Sequence, residues 1–308
     1  MRDHSILLVG TPSQFTILEA ITATLPIAAV LNPSRRRMPP LKTLVIASSE
    51  EGLALKPGVV CLLTPFPRMA QFIIEAAMGG SHILTAGPVD LSGRNRQAIE
   101  EALEGAPERR LTQANGLLAS RLHQSLRVQR DRAEFGRPVY MRTVGGGGAE
   151  GLTAAWWRLW QTLEHALDLL GSRISKLTVV ANRAGRKLNA TLSVTVESQA
   201  SALLSVLPFD VGSGPDILLL GTGGTVSSQT HFNAVPMFSA GKTPNLLFDC
   251  SAYAEPEMIA GYLRQLDGIS QLPAFTSALD PSPLSSHLLR GLRTALRTKR
   301  ITEIQLPK

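Results

Sequence analysis

The first third of the chain alternates short, almost wholly apolar runs with segments in which apolar residues recur at helical spacing. The apolar runs lie at residues 5–10, 27–31, 43–46, 59–63 and 82–85. Helical patterns lie at residues 12–24, 67–79 and 92–104. Strands buried on both faces form continuous apolar runs, and strands that alternate with helices build a parallel sheet covered by those helices. This part of the chain therefore predicts a Rossmann-like, doubly wound parallel sheet.

The pattern changes after about residue 115. Helical spacing at 116–134 and 153–170 gives way to strand-like segments punctuated by Gly and Asn, at 174–181, 188–197, 201–207 and 216–220, before a basic helix at 284–298 and a strand at 301–306. Such segments are typical of antiparallel strands. We therefore predict a Rossmann-like nucleotide-binding domain at 1–115. An α+β substrate or oligomerisation domain with an open, mainly antiparallel sheet should follow at 116–308.

Composition excludes several classes of protein. The chain is 44% hydrophobic and 18% charged, as globular proteins are. No apolar run approaches the roughly 20 residues of a membrane span, and the first one is too short for a signal peptide. The two cysteines, Cys61 and Cys250, are far apart in sequence and are expected to be buried thiols. We expect a cytoplasmic protein without a metal site and without membrane contact.

The net charge of +7 favours anionic partners. Arginines are densest at 35–37, 121–132 and 290–300, but aromatic residues make up only 5% of the chain and do not interleave with them. Grooves for single-stranded nucleic acid combine basic and aromatic side chains, so nucleic acid is disfavoured as a partner. A small-molecule substrate is the better expectation.

The turn after the first strand decides whether a dinucleotide can bind. The usual fingerprint has three glycines, and only Gly10 is present here; Pro12 and Phe15 replace the other two. Pro12 has no N–H group for a phosphate. Thr11 can still cap the following helix, whose N-terminus can receive a phosphate. Two interpretations stay open: a phosphate site at Gly10 and Thr11, or a capped structural helix without a ligand.

The end of the second strand carries Ser34, Arg35 and Arg36 where a dinucleotide's adenosine ribose would lie. NAD sites place a carboxylate at this point, whereas NADP sites use arginine for the 2′-phosphate. NADP(H) is therefore favoured over NAD(H) if a dinucleotide binds. A solvated basic loop is the alternative.

Several motifs, in order along nearly the whole chain, resemble the Gfo/Idh/MocA oxidoreductases, the relatives of glucose-fructose oxidoreductase and inositol dehydrogenase. They are Thr64-Pro65 after an apolar strand, Gly87-Pro88 after the next one, Phe135-Gly136-Arg137-Pro138-Val139, His165 to Asp168 on a helix, and the Gly221-Thr222-Gly223-Gly224 turn. The resemblance implies a nicotinamide-dependent oxidoreductase. It also implies that Thr64, Pro65 and Pro88 line the cofactor site and that His165 is catalytic.

Two family residues of the active site are replaced. The family lysine after the fifth strand is Gly87 here, and the aspartate one turn before the histidine is Gln161. One hypothesis is a divergent NADP(H)-linked oxidoreductase in which His165 donates the proton. The other is a catalytically inactive relative with a degenerate active site. It would act as a binding or assembly partner, as a homo-oligomer or with a related subunit, and His165 would then be structural.

Overall fold

The computed structural model describes the chain except at residues 1–4, 13, 16–24, 34–42, 91–92, 105–109, 146–150, 186, 208–214, 229–236, 241–242, 247–254, 269–274, 278–282 and 307–308. Its contacts divide the chain into two units. The first unit is Met1–Gly116 with Glu255–Pro281, and the second is Leu117–Ala254 with Ser282–Lys308. The chain thus passes from the first unit to the second after Gly116, and residues 255–281 belong to the first unit.

The described strands, in chain order, are β1 (Ile6–Val9), β2 (Ile27–Leu31), β3 (Leu44–Ile46), β4 (Val59–Leu62), β5 (His82–Thr85), β6 (Leu111–Ala114), β7 (Pro138–Gly145), β8 (Ile174–Ala184), β9 (Lys187–Val196), β10 (Ser201–Val206), β11 (Asp216–Gly221), β12 (Thr225–Ser228), β13 (Met237–Ala240), β14 (Thr243–Leu246), β15 (Phe275–Ser277) and β16 (Thr302–Glu303). The described helices are α1 (Ser49–Ala54), α2 (Met69–Met78), α3 (Gly93–Glu104), α4 (Gly116–Ala119), α5 (Arg121–Arg130), α6 (Leu152–Leu170), α7 (Glu255–Leu266) and α8 (Pro283–Thr298). Pro12, Gln14 and Phe15 are also helical.

The first unit is built on a seven-stranded sheet with the order β15-β6-β5-β4-β1-β2-β3. Strands β1 to β6 are parallel, and β15 runs antiparallel to β6 at the edge. The side chains of β1 and β4 are completely buried or nearly so, as their continuous apolar sequence predicts. This confirms the doubly wound parallel sheet. The strand order reverses between β1 and β4, so that in this fold a ligand crevice is expected at their carboxyl ends.

The second unit is built on a nine-stranded sheet with the order β14-β13-β12-β11-β7-β10-β9-β8-β16. All its pairs are antiparallel except β7 with β10, which confirms an open, mainly antiparallel sheet. Alternate residues of β9 and β10 are buried. Helix α6 lies against β7, β9 and β10, and helix α8 lies against β8.

After residue 115 the structure differs from the expected elements in two respects. The single helix expected at 116–134 is two helices, α4 and α5, because Ser120 between them caps α5 by accepting a hydrogen bond from the His123 N–H. The stretch between 220 and 284, for which the sequence pattern predicted no element, contains strands β12 to β15 and helix α7, while the final strand is only two residues long. These strands have weak apolar patterns and are recognisable only through their pairing partners.

Candidate functional site

The carboxyl ends of three neighbouring parallel strands bring together the described residues that were expected to bind a cofactor. Gly10 and Thr11 follow β1, Thr64 and Pro65 follow β4, and Pro88 follows β5. Because β1, β4 and β5 are adjacent and parallel, these residues lie along one edge of the sheet. Ser34, Arg35 and Arg36, the expected ribose-phosphate contacts, lie outside the described residues.

Thr11 and Gln14 cap each other at the start of the helix that follows β1. The Thr11 backbone N–H donates to Gln14 Oε1 at 2.9 Å, and the Thr11 hydroxyl reaches the same oxygen at 3.2 Å. In return the Gln14 N–H approaches Thr11 Oγ1 at 3.5 Å. This reciprocal pair is a capping box, in which side chains satisfy N–H groups that a helix start leaves unpaired. The pattern Thr-x-x-Gln was visible in the sequence, but only the Thr11 cap was inferred from it.

The Gln14 side chain also crosses from β1 to β4. Its Nε2 donates to the carbonyl oxygen of Leu63, the residue after β4, at 3.1 Å. Only 9% of Gln14 is exposed. We call Thr11, Gln14 and Leu63 with these hydrogen bonds the Gln14 bridge. It lies at the point where the strand order reverses, which is where doubly wound sheets bind their ligands.

The side chains of Gln14 and Phe15 pack against the backbone of Gly10, the one glycine of the fingerprint that this turn retains. A Cβ atom on Gly10 would lie 3.0 Å from Gln14 Oε1 and 3.1 Å from Phe15 Cε1. The Phe15 ring is 2% exposed, so this space is filled by the chain's own side chains. The packing of Gln14 and Phe15 therefore favours glycine at position 10, without reference to a ligand.

Among the described residues of this turn, the backbone N–H groups do not offer a pyrophosphate the site that the glycine-rich fingerprint provides. Anions at a helix start are bound by backbone N–H groups. The Thr11 N–H donates to Gln14, Pro12 has no N–H, and the Gln14 N–H faces the Thr11 hydroxyl. The donors that a pyrophosphate would need are absent or already engaged among the described residues of the turn.

The segment after β5 offers no cationic side chain. Ala86, Gly87 and Pro88 are all buried, and the Thr85 hydroxyl donates to the Gly87 carbonyl oxygen at 2.8 Å. Gly87 stands where the resemblance expects a lysine. No ammonium group at this position can approach a substrate.

His165 lies on α6 and is 1% exposed. Within the described residues neither of its ring nitrogens has a hydrogen-bond partner. Its ring is 4.9 Å from that of His123, centroid to centroid. Burial, with a smaller contribution from His123, lowers the pKa of His165 to about 3. The imidazole is therefore neutral near pH 7.

Asp168, three residues after His165, joins α6 to α5. Its Oδ2 lies 3.1 Å from His123 Nε2 and 3.6 Å from Arg127 Nε, and its carbonyl oxygen accepts from Arg130 Nη1 at 2.7 Å. Burial lowers the pKa of His123 to about 4, although the Asp168 carboxylate opposes this change. The histidine and aspartate of the motif are thus engaged in packing between two helices. Sequence patterns gave no sign of the contact with His123.

The tryptophans of α6 are core residues. Trp156, Trp157 and Trp160 are each 3% exposed or less, and Trp156 Nε1 donates to the carbonyl oxygen of Ser285 on α8 at 2.8 Å.

The Cys61 side chain is a completely buried free thiol, and burial raises its pKa far above the usual value. Cys250 lies outside the described residues. In the described part of the chain no cluster suits a metal ion, and no helix has the length and apolar character of a membrane span.

No family model and no curated protein matches this sequence. Solved structures do match over the whole chain. An NAD-binding oxidoreductase from Klebsiella pneumoniae matches with a TM-score of 0.63 and 14% identity, over 99% of this chain and 100% of that one. A UDP-N-acetylglucosamine 3-dehydrogenase from Acidithiobacillus ferrooxidans matches with a TM-score of 0.67 and 15% identity, over 97% and 99%.

The chain therefore has the two-unit fold of NAD-binding oxidoreductases, and the expected resemblance to the Gfo/Idh/MocA type is confirmed at the level of the fold. Among the individual proteins with this fold is the WlbA dehydrogenase from Chromobacterium violaceum. It was solved with NADH and UDP-GlcNAcA and matches with a TM-score of 0.64 and 18% identity, over 100% of this chain and 98% of that one. A likeness at this identity establishes the fold and leaves the activity to be argued from the site.

Proposed function

We propose that this protein is a Gfo/Idh/MocA relative that has lost nicotinamide-dependent catalysis and acts as a binding or assembly partner. The Gln14 bridge is the observation that carries the proposal. It places a buried side chain of the protein itself across the carboxyl ends of β1 and β4, where a ligand crevice is expected in this fold. A dinucleotide could bind in the usual place only after these hydrogen bonds had broken.

The proton chemistry of the site supports the same conclusion. Oxidation or reduction of a carbonyl or alcohol needs a group that takes up or delivers a proton near neutral pH. Gly87 has no side chain for this purpose, and the buried His165 is neutral with a pKa of about 3. A general acid with so low a pKa carries almost no proton at pH 7.

The outer face of the second sheet supports an assembly role. Leu203 on β10 and Leu218 on β11 both pair with Arg142 of β7, so the three side chains share one face. Leu220 and Tyr140 pair one step along the same face. The three leucines and Tyr140 are half-buried, and Arg142 is exposed. Exposed apolar area of this kind is common at protein interfaces. We propose that a second copy of the chain covers this face of the sheet and forms a homo-oligomer. A complex with a related subunit is the alternative.

An NADP(H)-linked oxidoreductase acting on a small molecule is the second candidate, favoured by the NAD-binding proteins that share the fold. Gly10, Thr11, Ser34, Arg35, Arg36, Thr64, Pro65 and Pro88 would then hold the cofactor, and His165 would be the catalytic residue. In this candidate the Gln14 side chain must swing out of the crevice when the nucleotide enters. No catalytic step is assigned to the cofactor, because the first turn as it stands does not fit it.

Calorimetric titration of the full-length protein with NADPH and NADH, each up to 1 mM, separates the two candidates. We expect no binding to the wild type. Saturable binding of either nucleotide to the wild type would refute the loss of the cofactor. Turnover of an added carbonyl or imine compound would then establish the oxidoreductase.

A further inference from the structure

Helix α8 of the second unit carries a row of arginines along its exposed side. Arg290, Arg293 and Arg297 are exposed and lie three and four residues apart, the spacing that places side chains on one face of a helix. Lys299 and Arg300 follow directly and are exposed as well. We call these five residues the basic ridge. Residues 281–302 contain no aspartate or glutamate.

The opposite face of α8 is fixed to the second unit. Leu288, Leu292 and Ala295 are completely buried. A Cβ on Gly291 would lie 2.6 Å from Ile304, because the helix backbone packs closely against the residues that follow it. The ridge is therefore presented on a rigid element, which lowers the entropy lost when a partner binds.

The stability of the helix does not account for the ridge. Cations in the last turn of a helix interact favourably with its dipole, which explains Arg297, Lys299 and Arg300 in part. Arg290 lies in the middle of the helix, where this benefit is absent. Like charges three or four residues apart destabilise a helix. None of the ion pairs formed between described residues involves Arg290 or Arg297.

We propose that the basic ridge is a docking surface for an acidic segment of a partner protein. The surface gives the proposed assembly role a partner, and in that respect it rests on that role. The arginines from 290 to 297 span about 10.5 Å along the helix axis, and carboxylates at the same spacing on an acidic helix would face them in register. Arginine is favoured at interfaces because its guanidinium binds carboxylates with two parallel hydrogen bonds.

Two observations favour protein over nucleic acid as the occupant. Helix α8 has no Phe, Tyr or Trp on which the bases of a single strand could stack. Ile301, directly after Arg300, is 73% exposed and supplies an apolar contact of the kind that protein interfaces use at the margin of a charged patch.

The test uses the full-length protein and a fluorescein-labelled 20-residue polyglutamate peptide as the acidic probe. Anisotropy titrations compare the wild type with the triple variant Arg290→Glu, Arg293→Glu, Arg297→Glu. The control triple variant is Arg94→Glu, Arg137→Glu, Arg158→Glu, which changes the net charge equally at exposed arginines elsewhere. We expect the ridge variant to weaken binding at least tenfold and the control variant to weaken it less than threefold.

Two further variants check the result. The single variant Arg290→Glu should weaken binding about threefold. Replacement of Arg290, Arg293 and Arg297 by lysine should retain binding within fivefold. An equal loss in the ridge and control triples would overturn the proposal, because net charge alone would then explain binding. So would no measurable binding of the peptide, or tighter binding of a 20-base-pair DNA that the ridge variant abolishes. Nucleotide titrations of the same proteins report on the proposed function separately, since no residue of the ridge belongs to the first unit.

Discussion

Replacing Gln14 with alanine should loosen the first turn by about 2 kcal/mol. The substitution removes the Leu63 hydrogen bond and the acceptor of the Thr11 N–H. A hydrogen bond of this kind contributes about 1 kcal/mol net, and loss of a helix cap costs about 1 kcal/mol. Thr11 is half-buried, so water can reach its N–H after the change, whereas Leu63 is buried and its carbonyl oxygen loses its donor.

Amide hydrogen exchange is the appropriate assay because it reports on the first unit separately. All three tryptophans lie on α6 in the second unit, so fluorescence does not report on this turn. A loss of about 2 kcal/mol in local opening free energy corresponds to roughly 30-fold faster exchange. We expect this faster exchange in the peptides of Gln14→Ala that cover residues 5–15, with exchange measured by mass spectrometry.

The matched control is Gln71→Ala, whose glutamine makes one exposed hydrogen bond to Glu75 and should change stability by less than about 0.5 kcal/mol. Gln14→Glu retains the acceptor for Thr11 but turns a carboxylate oxygen towards the Leu63 carbonyl oxygen at a buried position, so it should accelerate exchange at least as much as Gln14→Ala. If Gln14→Ala exchanges within twofold of Gln71→Ala, the Gln14 bridge does not hold the crevice closed and the argument for a lost cofactor loses its main support.

Two further predictions concern the second unit. His165 titrates at about pH 3 when folded but near 6.5 when unfolded, so the unfolded state binds its proton first as the pH falls below about 6.5. Stability should therefore drop between pH 7.5 and 5.5 by about 1.4 kcal/mol from this residue, and tryptophan-monitored urea unfolding of His165→Leu should show a smaller drop. Gly221→Ala should destabilise the unit by about 3 kcal/mol or more, because its Cβ would clash with the Phe135 carbonyl oxygen. Gly185→Ala is the control in the same assay. Its Cβ would meet no atom within 4 Å, but its φ of +61° is strained for alanine, so it should cost about 1 kcal/mol.

Local patterns in the sequence were sufficient for most of the first sheet. The apolar runs at β1, β2, β4 and β5 and the helical spacing at α2 and α3 appear in the structure within two residues of their expected bounds. Burial on both faces imposes a composition that can be read without knowledge of the partner strands. Strand β6, with Thr112 and Gln113 among its four residues, lacked that signature and was missed.

The sequence by itself determined the two-unit α/β architecture, the capped helix start at Thr11 and the losses at Pro12 and Gly87, because each depends on residue type and local spacing. Only the tertiary structure decided that Gln14 crosses to Leu63, that His165 packs on His123, and that residues 255–281 return to the first unit. Gln14 and Leu63 are 49 positions apart in the chain, and His123 and His165 are 42 positions apart. Such contacts are fixed by the packing of whole elements and leave no periodic trace in either segment alone.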